Sequence, residues 1–185
     1  MAEFRQGKTV KTLTLKGREV VFRYPKMSDI DQMWRNYNRM IREGAMLSRN
    51  TVIKKKDSRE WLESRIKQMR QNKAVQIMVE VEGKIIGSAD IKRDPMEVST
   101  HSGDLGIAIT KEYRGIGIGP ALLDVVCFLA KKRMRLKIVK FTVYSENRHA
   151  IHVYEKCGFR KAGVIPKRIY KKGKYIDDII MYKPL

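Results

Sequence analysis

Leu105-Gly-Ile-Ala-Ile-Thr-Lys-Glu-Tyr-Arg-Gly-Ile-Gly-Ile-Gly-Pro120 is the stretch on which the reading of this chain turns. Leu105, Ile107 and Ile109 recur at every second position, which predicts a strand over Leu105–Thr110. Gly115, Gly117 and Gly119 then alternate ahead of an apolar run from Gly119-Pro120 to about Met134, which reads as a helix. Glycines there let backbone N–H groups approach a ligand and adopt positive φ. The helix that follows adds unbonded N–H groups and the positive end of its dipole. Pro120 suits the first helical position, where a missing N–H costs nothing. The segment therefore predicts a pyrophosphate site, with Arg114 adding a charge-assisted hydrogen bond.

Two other phosphate-binding patterns fail on spacing. The dinucleotide fingerprint needs G-x-G-x-x-G and an acid about 20 residues on. Here the spacing is G-x-G-x-G, and the region around Val139 is basic. The P-loop needs Gly-Lys-Ser/Thr, which the sequence lacks. A ligand-free glycine turn remains the alternative for the loop taken alone.

Working toward the N-terminus, Ile85–Ile91 and Ala74–Val81 form a predicted hairpin around Glu82-Gly83-Lys84. Two helices precede it. One is capped by Ser28 or Asp29, carries Ile30, Met33, Trp34, Tyr37 and Ile41 at helical spacing, and ends at Gly44. The other is capped by Asp57 or Ser58 and carries Trp61, Leu62, Ile66 and Met69. Thr9–Leu15 and Arg18–Tyr24 alternate around Lys16-Gly17, a further hairpin stopped by Pro25. Toward the C-terminus come a loop-separated strand at Ile138–Tyr144 and a short helix at Asn147–Cys157. Two closing strands follow, Phe159–Tyr170 and Tyr175–Tyr182, and Lys92–Gly103 reads as a loop. The order ββααβββαβαββ predicts one mixed α/β sheet with helices on both faces. Strands 105–110 and 138–144 should be parallel through a right-handed crossover.

The 185 residues, 43% apolar, suit one domain with a substantial core and exclude a disordered chain. No apolar run approaches the roughly 18 residues of a membrane span. The start, Met-Ala-Glu-Phe-Arg-Gln-Gly-Lys, has no apolar signal core, so a cytoplasmic protein is expected. Cys127 and Cys157 sit among apolar, helix-patterned residues and read as buried thiols. The net charge of +20 suits anionic ligands, an acidic protein or nucleic acid, or else a solvated surface. Two runs, Lys131–Lys140 and Arg160–Lys174, hold no acid. His149, His152 and Cys157 do not share one helix face and no carboxylate cluster joins them, so no metal site is expected.

Arg114-x-x-Gly117-x-Gly119 after its strand resembles the acetyl-CoA signature of the GNAT superfamily of N-acetyltransferases. Asn147-x-x-Ala150-x-x-x-Tyr154-x-x-x-Gly158-Phe159 resembles the pattern that family carries after its fifth strand. Lys172-Gly-Lys-Tyr175-x-Asp177 and Met181 resemble its bacterial and archaeal amine and protein N-terminus acetyltransferases. The resemblance implies a single domain over 1–185, with 1–17 as an extra N-terminal strand or hairpin arm. It implies a mostly antiparallel sheet of about seven strands, splayed between two central parallel strands. It also implies acetyl transfer from acetyl-CoA, as co-substrate, to a primary amine by direct attack.

By that resemblance, backbone groups of Ile107, Ala108 and Ile109 would pair with pantetheine, and the N–H of Ile109 would support the oxyanion. Arg114, Gly115, Ile116, Gly117, Ile118 and Gly119 would hold the pyrophosphate, and Asn147 would contact CoA. Tyr154 would act as general acid, since a phenol titrates near an alkyl thiol; core packing on its helix face is the plainer role. The base is open between Asp104, His101 and water. The closing hairpin lies near the family's acceptor groove, where Lys167, Arg168, Lys171 and Lys172 would steer an acidic acceptor. The acceptor is a protein or peptide N-terminus or a small amine, and a +20 surface disfavours polyamines. A ribosomal protein is one such partner. The protein is read as a monomer or homodimer. The alternatives are a nucleic-acid- or ribosome-binding protein on a catalytically degenerate GNAT fold, or a partner-binding subunit.

Overall fold

Lys16-Gly17, Glu82-Gly83 and Lys172-Gly173 all hold both residues at left-handed φ, between 47° and 76°. Such pairs twist two strands into a tight hairpin, and glycine at the second position carries that φ without a Cβ clash. The computed structural model describes residues 4–185, and these three turns close three of its hairpins. They join β1 (Thr9–Leu15) to β2 (Arg18–Arg23), β3 (Ala74–Val81) to β4 (Lys84–Arg93), and β7 (Arg160–Lys171) to β8 (Lys174–Pro184). Between them lie α1 (Ile30–Arg42), α2 (Lys55–Arg70), β5 (Ser102–Ile109), α3 (Ile118–Met134), β6 (Ile138–Tyr144) and α4 (Arg148–Lys156). The sheet has eight strands in the order β1-β2-β3-β4-β5-β6-β8-β7, the number in the element order read from the sequence, against the about seven that the family resemblance implied. The N-terminal hairpin accounts for the extra strand, since β1 pairs along β2 at the sheet edge.

β3 is buried on both faces because helices cover both. On one side Val75, Ile77 and Val79 join Ile118, Leu122 and Val126 of α3 in the main core. On the other, Ile30 of α1 meets Leu62 and Ile66 of α2 in a smaller cluster. Burying these side chains fully stabilises by roughly 1.5–3 kcal/mol each, so the central strands anchor the fold. Arg23 ties β2 to the entry of α1 through a buried ion pair to Asp29 at 2.8 Å, and it also reaches Glu80 at 2.8 Å.

Several helix ends differ from the sequence reading. α2 begins at Lys55, not after Asp57 or Ser58. Asp57 sits in the first turn, and its carboxylate accepts the Lys54 N–H at 3.2 Å. Asp29 does stand at the N-cap position of α1, but its carboxylate goes to the Lys26 N–H and Arg23 and makes no cap bond to the helix. Pro120 is the third residue of α3, not the first. Its missing N–H is still among the first four that have no intrahelical partner, so the position is equally tolerant. Cys127 is buried, but Cys157 is only half-buried, and both are free thiols.

Candidate active site

β5 and β6 run parallel for only three pairs, Ser102↔Ile138, Gly103↔Val139 and Asp104↔Lys140, and then part. β5 stays bound to β4 over its whole length, from Gly87↔Ile109 to Arg93↔Gly103. The register decides which backbone groups face the gap. Thr110 N–H donates to Ile86 O at 2.9 Å, and Asp94 N–H donates to Ser102 O at 3.0 Å. Hydrogen-bonded pairs alternate in an antiparallel ladder, so Ala108 and Gly106 belong to the β4 side. Leu105, Ile107 and Ile109 turn their N–H and C=O groups toward the gap. Ile107 and Ile109 therefore present free backbone groups to the gap. Ala108 does not, because its backbone is spent on Ser88. The Ile109 carbonyl is occupied by Arg114 Nε at 2.8 Å, which leaves its N–H as the free donor.

β5 leads through a single 3-10 turn, Lys111–Tyr113, into the glycine loop. Gly115 and Gly117 sit at φ 73° and 93°, and Gly117 is the left-handed residue from which α3 starts. Ala121 N–H already bonds Gly117 O at 3.4 Å, and Pro120 has no N–H. The helix therefore offers the N–H groups of Ile118 and Gly119, next to those of the loop. The Ile118 side chain is buried in the core, so only its backbone is available. This concave run of donors, at the positive end of a 17-residue helix, suits a pyrophosphate.

Asp104, Ile107, Ala108, Asn147 and Tyr154 meet around one cavity of about 1000 Å³. The glycine loop and Ile109 flank its β5 end without lining it. Asn147 stands immediately before α4, but its side chain makes no capping bond, so its amide is left free at the cavity wall. Tyr154 packs edge-on against Phe141, with ring centroids 4.5 Å apart. Burial, helped by Cys157, pushes its phenol up to about 12. The packing and cavity roles of Tyr154 coexist in this geometry.

Asp104 is less suited to take a proton. It is exposed, and Lys140 Nζ binds it at 2.6 Å and Asp94 at 3.3 Å. Burial works against the Lys140 charge, yet the bonds to Asp104 and Asp94 raise its pKa. His101 is exposed, and its carbonyl accepts the Lys137 N–H at 2.7 Å where β6 begins. His149 and His152 are exposed on α4, and no group of three or more potential metal ligands forms among the described residues.

Asp90 and Arg65 were not singled out in the sequence, yet both line the cavity. Asp90 lies on β4 opposite Gly106, and a Cβ at Gly106 would sit 3.1 Å from its Oδ1. The carboxylate thus leans over β5 where the sheet opens. Arg65 Nη2 holds its other oxygen at 2.9 Å. Burial raises the Asp90 pKa, with Arg65 and Lys92 pulling it back. The legible signal was a lone acid in the apolar strand Lys84–Arg93; its neighbour on α2 was out of reach of any spacing argument.

The far side of the cavity is the segment 45–54 after α1. Asn38 grips Ile53 through two hydrogen bonds, 2.8 and 2.9 Å long, and Trp34 Nε1 donates to Ile53 O at 2.8 Å. Tyr144 donates its O–H to Leu47 O at 2.8 Å, and Lys171 Nζ donates to Ala45 O at 2.7 Å. Lys171 is thereby committed to structure rather than to steering. Among the described residues, no helix is long and apolar enough to cross a membrane.

A sheet splayed between two parallel strands, with a donor-rich loop at the head of the crossover helix, defines the N-acetyltransferase fold class. The chain belongs to the acetyltransferase (GNAT) family, whose profile matches residues 38–159. It is 26% identical over 106 residues to the L-amino acid N-acetyltransferase AaaT of Escherichia coli (strain K12), a match covering 57% of this chain and 65% of that protein. It is 27% identical over 129 residues to an N-alpha-acetyltransferase of Sulfurisphaera tokodaii, covering 65% of this chain and 75% of that one. The match therefore spans just under two-thirds of the Escherichia coli relative's length. The acetyltransferase of GNAT family from Streptococcus pneumoniae superposes with a TM-score of 0.81 at 26% identity, over 90% of this chain and 99% of that structure.

Proposed function

We propose that the protein moves an acetyl group from acetyl-CoA to a primary amine by direct attack, the acceptor being a protein or peptide N-terminus or a small amine. The observation that carries this reading is the gap between β5 and β6. There Ile107 and Ile109 hold free backbone groups between a pyrophosphate-suited loop and a cavity with both an acid and a base. Two relatives, an L-amino acid N-acetyltransferase and an N-alpha-acetyltransferase, support an amino-nitrogen acceptor.

The residues divide the work as follows. The Gly115–Gly119 loop binds the pyrophosphate and fixes the donor's position. Ile107 pairs with the extended pantetheine arm, and the Ile109 N–H supports charge developing on the thioester oxygen. Asp90 accepts one proton from the acceptor ammonium, the freed nitrogen pair forms the C–N bond, and the C–S bond breaks. Tyr154 gives its proton to the departing thiolate. The second proton shed by the nitrogen returns through water to the Tyr154 phenolate. The products are the acetylated amine and CoA thiol. We take Asp90 rather than Asp104 as base, because burial raises the Asp90 pKa whereas Asp104 is exposed and paired with Lys140.

Incubation with acetyl-CoA and a panel of amines, following free thiol, tests the reading. Thiol release that depends on the amine is expected. Absence of release above background while acetyl-CoA still binds would count against catalysis. The donor site has its own test in Gly117→Val. The space there is open, since a Cβ would meet only Leu15 at 3.9 Å. The cost lies in φ 93°, which a β-branched residue holds only at about 1–3 kcal/mol of strain. Acetyl-CoA affinity should fall about 5- to 100-fold by calorimetry. Normal affinity in a folded variant contradicts the loop assignment.

Exposed Tyr170 and Tyr175, with ring centroids 5.0 Å apart beside Lys172 and Lys174, favour a second reading as a nucleic-acid surface. Steeply salt-dependent RNA binding without acetyl-CoA affinity would support it.

A further inference from the structure

Arg168 lines the cavity from β7. The β7–β8 register slips between Ile165 and Ile169, so β7 carries extra residues that bulge out of the ladder. Lys167, at the bulge, takes a left-handed φ of 53°. Its N–H donates to Asp177 Oδ1 at 2.8 Å, which fixes that conformation. The bulge turns the next residue, Arg168, toward the cavity, where it joins Thr142 and Tyr144 in the wall.

Behind it stands Asp178, whose surface is 0% exposed. Asp178 Oδ2 accepts a hydrogen bond from Arg168 Nη1, and its Oδ1 has no partner. A fully buried carboxylate is retained only against a firm positive partner. Asp178 therefore positions Arg168. Thr142 Oγ1, 3.5 Å away, is also reached by Nη1. Both bonds use one nitrogen, so Nη2 and Nε carry no protein partner among the described residues. The Arg168 side chain is 48% exposed, so those free donors are open to a ligand.

The cavity wall holds four cations, Arg49, Arg65, Lys140 and Arg168, against three acids, Asp57, Asp90 and Asp104. Asp90 is matched by Arg65, and Asp104 by Lys140. Arg49 lines the cavity from the 45–54 segment and has no acidic partner among the described residues. Arg49 and Arg168 lie on two segments, 45–54 and β7, that Lys171 ties together. A guanidinium fork with two free donors matches a carboxylate geometrically.

We propose that Arg168, aimed by the β7 bulge and held by Asp178, binds a carboxylate carried by the acceptor, so that the preferred acceptors are amines bearing an acid group. This rests on the N-acetyltransferase reading. The carboxylate belongs either to a free amino acid or to an acidic side chain near a peptide's amino terminus.

The test measures kcat/KM on paired acceptors: amino acids against their amides, and peptides with glutamate at the second position against the same peptides with glutamine. The ratio within each pair does not depend on the folded fraction of the enzyme. In the unsubstituted protein one pair should show a preference of about 10- to 100-fold, the range of one charge-assisted hydrogen bond. The pair that shows it identifies the source of the carboxylate. Arg168→Gln should bring that ratio to about 1. Arg168→Lys, which keeps the charge against Asp178, should leave it intermediate. Asp178→Asn should lower the ratio through KM with kcat for the amide unchanged. A ratio near 1 in the unsubstituted protein, or one untouched by Arg168→Gln, overturns the proposal while leaving acetyl transfer intact. Acetylation of no acceptor at all overturns the reading beneath it as well.

Discussion

Tyr154→Phe should lower turnover at neutral pH by about a hundredfold or more, the usual contribution of a placed general acid. Acetyl-CoA affinity should be largely kept. The substitution retains the ring that packs against Phe141 and Phe159, so it removes an O–H without opening a cavity. The pH dependence distinguishes this from a packing effect. Burial holds the phenol at about 12, above its ordinary value of about 10. The proton is therefore still present at pH 9–10, and the unsubstituted enzyme should show no alkaline fall from this group in that range. The Phe variant should be slow at every pH. Turnover unchanged across pH would remove Tyr154 from the mechanism.

Asp90→Asn should cost a comparable factor in kcat/KM, again about a hundredfold or more. It also carries a signature on the opposite limb. Burial raises the Asp90 pKa, so the carboxylate gains its proton at a higher pH than an exposed aspartate does. Activity should fall as the pH drops through that raised value, with the acid limb displaced upward from that of an exposed aspartate. The Asn variant should lose this limb. A profile that keeps the limb assigns the base elsewhere. Asp104→Asn is the natural comparison: Lys140 already occupies its carboxylate, so its removal should leave the acid limb in place.

Much of this architecture was legible because it is written locally. β1, β3 and β6 have the bounds that alternation and flanking turns predicted, and the element order is the one expected. The x-Gly pairs marked three hairpins because left-handed φ is a local demand. Helix starts were less legible. Asp57 and Asp29 look like caps in sequence, but a carboxylate can serve an N–H just ahead of the helix or a distant arginine instead. The candidate site was legible as far as its backbone. The spacing of Gly115, Gly117 and Gly119 marked the loop, but only the β4–β5 register separates Ile107 and Ile109 from Ala108. Asp90 became visible only when β4 set it against Gly106 and α2 brought Arg65 beside it. Arg168 was seen as one cation in a basic run. Its distinction comes from Asp178, ten residues on but adjacent across the hairpin.

The parting of β5 from β6 after three pairs leaves an interior sheet with a bay in it, wide enough in hydrogen-bonding terms for one more extended chain. Anything that docks there completes a ladder that exists only in the folded protein. Occupancy of the bay and resistance to unfolding are then one equilibrium seen from two ends, and a saturated bay at a hundred times Kd adds about 2.7 kcal/mol to the fold. On the proposed reading the donor is a removable strand, and the protein should be at its most stable while it is loaded.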